Sequence, residues 1–115
     1  MPMYYRSARA AIIVYDITKQ SSFDNCVMRW VEELAMRGPP NIFIAVVGTK
    51  SDLESERVVS KDVVKTCVES KRGDFKGMIF MDCSAKTGEG VQELFEEICR
   101  AIETMKGNDN GEEVD

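Results

Sequence analysis

The sequence contains no histidine, and none of its four cysteines lies in a C-x-x-C pair. Zinc sites in proteins are built from cysteine and histidine at short spacings, and thiol–disulfide redox motifs need two neighbouring cysteines. We therefore expect no metal site and no structural disulfide. Because free cysteine packs like a small hydrophobe, we predict buried free thiols, typical of a cytoplasmic protein, at Cys26, Cys67, Cys83 and Cys99.

Long apolar runs and excess positive charge are also missing. No run approaches the ~20 apolar residues that a helix needs to cross a bilayer, and the N-terminal ten residues contain no apolar core of a signal peptide. Acidic residues outnumber basic ones by 20 to 15, a net charge of -5, which argues against nucleic acid as a partner. The 115 residues allow one domain with one modest core.

What the chain does contain is an alternation of strand and helix patterns. Three short runs are apolar on both faces, which is typical of strands in a covered parallel sheet: 10–15, 42–48 and 78–82. Each is followed by a segment of helical period: 21–38, 60–73 and 91–107. This order predicts an α/β fold in which three parallel strands alternate with three helices through right-handed crossovers.

The helical segments carry their own start and stop signals. Ser60 is the expected N-cap of the second helix, and Gly107 is the expected stop of the third. The large apolar side chains on the inward stripes are predicted to lie in the core, among them Phe23, Trp30, Val63 and Phe95.

Ligands of parallel α/β sheets bind beyond the carboxyl ends of the strands, where three loops lie. The second and third loops are the richest in polar chemistry. The carboxylate of Asp52 can accept two parallel N–H bonds, which guanine offers and adenine does not. The stems of Lys50 and Lys86 can cover the faces of a planar base, and the backbone from Ser84 to Lys86 can donate an N–H to its carbonyl. The alternative is an ordinary strand-to-helix turn with exposed charges.

Three stretches together resemble the small GTPase superfamily, and most of all its Rab branch: "MYYRSARAAIIVYDIT", "IAVVGTKSDL" and "DCSAKTGEGVQELFEEI". The resemblance runs from about Met1 to about Met105. It implies that residues 1–106 are the C-terminal half of a GTPase domain, a partial three-layer α/β/α fold of the P-loop NTPase type. It also implies guanine-nucleotide (GTP or GDP) binding, a role in vesicle transport, and Rab effectors or exchange factors as partners. The residues that match the family's base-recognition loops are Thr49, Lys50, Asp52, Ser84, Ala85 and Lys86.

The sequence departs from the family pattern in two ways. Thr49 stands where Rab proteins usually have asparagine, and a hydroxyl can tie fewer neighbouring groups together than an amide can. The chain also contains no G-x-x-x-x-G-K-S/T phosphate loop, and the family's first switch and D-x-x-G motif are missing as well. We therefore expect no catalytic residues, no hydrolysis by this chain alone, and Mg²⁺ binding only in a full-length protein.

Two hypotheses follow for the function. The chain is the base-recognition half of a Rab-like GTPase, or it is a non-catalytic truncated isoform that binds Rab partners. Strand 10–15 is expected to be a bare sheet edge and so to favour self-association. The acidic tail at 107–115 is expected to be disordered, and the absence of any cysteine after Cys99 predicts that endomembranes are reached only through partners.

Overall fold

The computed structural model describes residues 9–38 and 41–109, and for Cys26 and residues 105–109 it describes the backbone only. The elements are, in chain order, β1 (Ala10–Asp16), α1 (Gln20–Ser22), a π-helical turn (Phe23–Val27), α2 (Met28–Arg37), β2 (Phe43–Thr49), a 3-10 segment (Ser51–Glu56), α3 (Lys61–Lys71), a 3-10 turn (Arg72–Asp74), β3 (Gly77–Asp82) and α4 (Val91–Asp109). The π-helical turn continues α1 directly into α2, so the first predicted helix is one rod with a wide turn near its start.

The three strands form one parallel sheet in the order β1-β2-β3. The register pairs Ile13 with Val46 and Val46 with Phe80, so all three carboxyl ends reach the same edge. The predicted α/β class, with three parallel strands alternating with helices, is confirmed. In the described part of the chain, β1 and β3 are the two edge strands, and β2 is buried along nearly its whole length.

Each face of the sheet carries its own apolar cluster. On one face, α2 and α3 pack against the strands around Ile44 and Val46; on the other, Leu94 and Ile98 of α4 pack against Ala45. The side chain of Ser60 accepts a hydrogen bond from the Asp62 N–H at 3.2 Å, which confirms the predicted N-cap of α3.

Some predicted core residues lie at the surface. Phe95 is 56% exposed and Val63 is 52% exposed, and Trp30 is only partly buried against the larger cluster. On α3 the inward residues are Val64 and Val68, which leaves Val63 about 100° away around the helix. On α4 the inward residues are Leu94 and Ile98, which leaves Phe95 about 100° away from Leu94 around the helix.

Two predictions at the level of cysteines and helix ends need correction. Cys67, Cys83 and Cys99 are free thiols, as expected, but Cys99 is exposed and Cys67 is only partly buried. The last helix does not stop at Gly107 but continues to Asp109, because a glycine is tolerated in a helix at a cost of about 1 kcal/mol. Residues 110–115 of the predicted disordered tail, and residues 1–8 of the predicted domain, lie outside the described residues.

Candidate functional site

The loops that follow β2 and β3 are joined by direct hydrogen bonds. The Cys83 N–H donates to the Gly48 carbonyl at 2.7 Å, and the Ser51 N–H donates to the Cys83 carbonyl at 3.2 Å. The Ser51 hydroxyl donates to the carboxylate of Glu89 at 2.7 Å. The two loops that the sequence singled out therefore form one surface at the carboxyl edge of the sheet.

Thr49 and Lys50 attach this surface to the end of β1. The Thr49 hydroxyl donates to the Tyr15 carbonyl at 2.9 Å. Lys50 has a φ of 65°, and its ammonium group lies 2.8 Å from the carboxylate of Asp16. Bonds from Lys50 and then Thr18 lower the pKa of Asp16 to about 2, so Asp16 is ionised at neutral pH. The ion pair with Asp16 thus anchors the Lys50 side chain at its ammonium group.

Asp52 and Ser84 are bound to each other. The Ser84 hydroxyl, which is fully buried, donates to Oδ1 of Asp52 at 2.6 Å. Asp52 itself is exposed, and the pKa of its carboxyl is lowered by the Ser84 bond first and also by the positive charges of Lys86 and Lys50. A solvent-facing carboxylate is therefore positioned by a hydrogen bond from a fully buried partner.

Ser84 also fixes the backbone of its own loop. Its hydroxyl accepts a hydrogen bond from the Thr87 N–H at 3.2 Å, and its N–H donates to the Glu89 carbonyl at 2.9 Å. Ala85 and Lys86 lie exposed at the tip between these anchors. The structure thus places all six predicted site residues on the two joined loops, with Thr49 and Ser84 as anchors and the other four exposed at the surface.

Sequence reasoning missed three charged residues that support the site. Asp16 holds Lys50, and Arg57 bridges the loop after β2 to the end of β3 by pairing with both Glu54 and Asp82. The signal was present, because Asp16 and Asp82 are the only charged residues of otherwise apolar strands. A charge at that position needs a partner, and the partner is found across the sheet edge.

Within the described part of the chain, no cluster of three or more acidic or cysteine side chains is arranged to hold a metal ion. None of its helices is long and apolar enough to span a membrane.

In three-layer α/β domains, ligands bind beyond the carboxyl ends of the parallel strands, which is where the two joined loops lie. A model of the Ras family matches residues 1–104, and the chain belongs to that family. It is 42% identical to the Ras-related protein RABF2b of Arabidopsis thaliana over 109 residues, which are 95% of this chain and 52% of the relative. It is 45% identical to the Ras-related protein Rab-5A of Dictyostelium discoideum over 101 residues, 88% of this chain and 47% of the relative.

The human Ras-related protein Rab-22A is 44% identical over 107 residues, which cover 93% of this chain and 52% of that protein. The chain therefore spans about half the length of the curated relatives it matches. These findings confirm the predicted likeness to a Rab-type small GTPase.

Proposed function

We propose that the two joined loops recognise the base of a guanine nucleotide, GTP or GDP. The observation that carries the proposal is the bond between buried Ser84 and exposed Asp52, with Lys50 and Lys86 on the same surface. A carboxylate held in this way accepts the paired N–H groups of guanine without losing further freedom, and this lowers the entropic cost of binding.

Each predicted residue has a role in this proposal. Asp52 accepts from the base, the stems of Lys50 and Lys86 cover its faces, and a backbone N–H near Ala85 donates to its carbonyl. Thr49 and Ser84 fix the loops without touching the base. With adenine, Asp52 would face a ring acceptor instead of a donor, and a charge that a ligand shields from water without a hydrogen bond in return is costly.

A calorimetric titration of the 115-residue chain with GDP and with ADP tests whether the loops recognise the guanine base. We expect GDP to bind selectively with a dissociation constant near the millimolar range, about -4 kcal/mol, because phosphate contacts are not part of the proposal. Asp52→Asn should abolish the preference for GDP. Asp74→Asn, which changes an exposed carboxylate away from the loops, is the control. Equal binding of GDP and ADP, or selectivity that survives Asp52→Asn, would refute base recognition.

We further propose a role in vesicle transport, with exchange factors or effectors of Rab proteins as partners, on endomembranes reached through those partners. The relatives' names support the class of protein, and the six loop residues supply base selection. For this chain alone we propose nucleotide recognition without hydrolysis.

A specific observation favours a second candidate function, binding to another polypeptide through β1. The Ile17 N–H donates to the Thr49 carbonyl, and the Arg9 carbonyl accepts from the Phe43 N–H. In a parallel ladder this means that the backbone N–H and C=O groups of the odd-numbered residues of β1 point towards β2. The backbone groups of Ala10, Ile12 and Val14 therefore point outward, and no described residue pairs with them. In pure solution the available partner is a second copy of the chain.

The two edges of the sheet differ in a way that supports this candidate. At the β3 edge, the guanidinium of Arg72 donates to the Met78 carbonyl at 3.2 Å, and charged side chains at the edge of a sheet discourage further pairing. On β1, Ile12 is 39% exposed and Val14 is 50% exposed. Both residues combine a free backbone with an uncovered apolar side chain, which is what an added strand requires.

A further inference from the structure

Two buried polar atoms beneath the candidate site have no hydrogen-bond partner among the described residues: the hydroxyl of Tyr15 and Oδ1 of Asp82. Tyr15 is only 2% exposed. Leaving a buried polar group unpaired costs about 1–3 kcal/mol, so two such groups in one small domain need an explanation.

Both atoms lie over the same glycine. A Cβ placed on Gly48 would be 2.8 Å from Oδ1 of Asp82 and 2.8 Å from the hydroxyl of Tyr15. The two oxygens are therefore no further apart than twice that distance, a span that one bridging water can cover. One group can donate and the other accepts, so they are chemically matched. Glycine at position 48 keeps the space between them open.

The surrounding contacts favour this pairing. The ring of Phe23 packs edge-on against Tyr15 with centroids 5.4 Å apart, which fixes the phenol ring under the sheet edge. Burial, and then the negative charge of Asp82, raise the pKa of Tyr15 against the opposing effect of the nearby Arg57 guanidinium, so its hydroxyl keeps its proton. Arg57 makes no hydrogen bond of good geometry to this hydroxyl. The other oxygen of Asp82 is bound by Arg57, which leaves Oδ1 as the acceptor on the inner side.

The group reaches each loop of the site. Tyr15 precedes Asp16, which holds Lys50, and Asp82 is followed by Cys83 and Ser84. Arg57 directly follows the 3-10 segment that contains Asp52, and it donates to the Val59 carbonyl at 3.0 Å as well as to Glu54. A shift of any one of these buried groups would move the loops relative to each other.

We propose that Tyr15 and Asp82 form a buried hydroxyl–carboxylate pair, and that this pair and Arg57 position the loop at 49–57 against the loop at 83–86. The three are positioning residues that do not touch a ligand. Their effect on guanine binding rests on the proposed function above, whereas the pair itself and its effect on the two loops do not.

Amide hydrogen exchange, measured by NMR on the whole chain, tests this directly. The reporters are the N–H groups of Ser51 and Cys83, whose bonds join the loops, and the control amide is Lys76, whose N–H donates to the Ile42 carbonyl at 2.9 Å at the opposite end of the sheet. Tyr15→Phe removes only the hydroxyl. We expect exchange at both reporters to become about fivefold faster, as for the loss of one ordinary hydrogen bond, with Lys76 unchanged.

Two further variants separate a local effect from a general one. In an Asp82→Ala background, Tyr15→Phe should add no further acceleration, because the partner is already gone. Ser70→Ala removes a hydroxyl that is bonded within α3 and should leave the reporters unchanged. Equal acceleration at all amides, unchanged reporters in Tyr15→Phe, or additive effects of the two changes would each overturn the pair.

A GDP titration of Tyr15→Phe links the pair to the site. We expect weaker GDP binding at unchanged ADP binding, about fivefold for one hydrogen bond. If the wild-type chain binds no GDP while the exchange pattern is as expected, the proposed function fails and the positioning pair stands. If the wild-type chain binds GDP selectively but Tyr15→Phe leaves the exchange pattern unchanged, the proposed function stands and the positioning pair fails.

Discussion

At the scale of single residues, the site depends on a division between anchors and exposed groups. Ser84 and Thr49 use their hydroxyls inside the fold, whereas Asp52 and Lys86 remain available at the surface. A buried anchor can contribute more to ligand binding than the free energy of its single hydrogen bond, because it fixes the position of a charged group without occupying the face that a ligand would use.

Replacing Ser84 by alanine tests this division. The change removes the bond to Asp52, and we expect GDP binding to weaken by about 1 kcal/mol, or roughly fivefold. Because Asp52 is exposed, water replaces part of the lost bond, and the loss stays at the low end of bonds to charged groups. The control is Ser55→Ala, which alters an exposed serine of the same loop. Unchanged affinity in Ser84→Ala, measured by calorimetry, would show that Asp52 needs no anchor.

The ion pair between Asp16 and Lys50 predicts a pH dependence of stability. The pKa of Asp16 falls from 3.8 to about 2 in the folded chain, so the folded state favours the ionised form. Its contribution is fully present above the unfolded value and is lost as pH falls from 3.8 towards 2. We expect the urea midpoint of the wild type to fall more steeply over this window than that of Asp16→Asn. Parallel curves for the two proteins would contradict this.

At the scale of elements, the loop between β3 and α4 depends on a glycine that comes close to a strand end. Gly90 has a φ of 78°, and a Cβ there would clash with the carbonyl oxygen of Asp82. Gly88 has a φ of 83° but open space around it. The loop at 83–90 can therefore return past the end of β3 just before α4 begins only because Gly90 has no side chain.

The two glycines form a matched pair of alanine substitutions. Gly88→Ala should cost about 1–2 kcal/mol of unfolding free energy for its left-handed conformation alone. Gly90→Ala should cost at least about 1 kcal/mol more, because the new methyl group also forces the backbone of Asp82 to move. Chemical denaturation followed by circular dichroism measures both. Similar losses in the two variants would mean that the loop yields without strain.

At the scale of the whole molecule, the chain has a covered centre and an incompletely covered side. The middle strand β2 is buried by helices on both faces, but Ile12 and Val14 at the β1 edge remain open. An uncovered apolar edge strand with free backbone groups favours association. A domain of 115 residues has little further apolar surface with which to cover its own edge strand.

We therefore expect the sedimentation-equilibrium mass of the pure chain to rise with concentration. Replacing Ile12 and Val14 by lysine should shift association to at least about tenfold higher concentration, because charge on an edge strand disfavours pairing. Val63→Lys is the matched control, since Val63 is 52% exposed but lies on α3, away from this edge. A wild-type chain that stays monomeric at all concentrations would eliminate β1 as a docking edge.

The sequence by itself determined the three strands and their parallel arrangement, and it predicted six loop residues after two of those strands, because apolar patterns and strand-end loops are set by nearby residues. Only the tertiary structure decided which side chains are buried. Phe95 and Val63 fit a helical stripe, yet their exposure depends on which side of each helix packs against the sheet. The same holds for the support of the site: Asp16, Arg57 and Asp82 acquire their roles from partners on other elements. The pairing of Tyr15 with Asp82 over Gly48 likewise joins residues far apart in the chain, and only the packed fold brings them together.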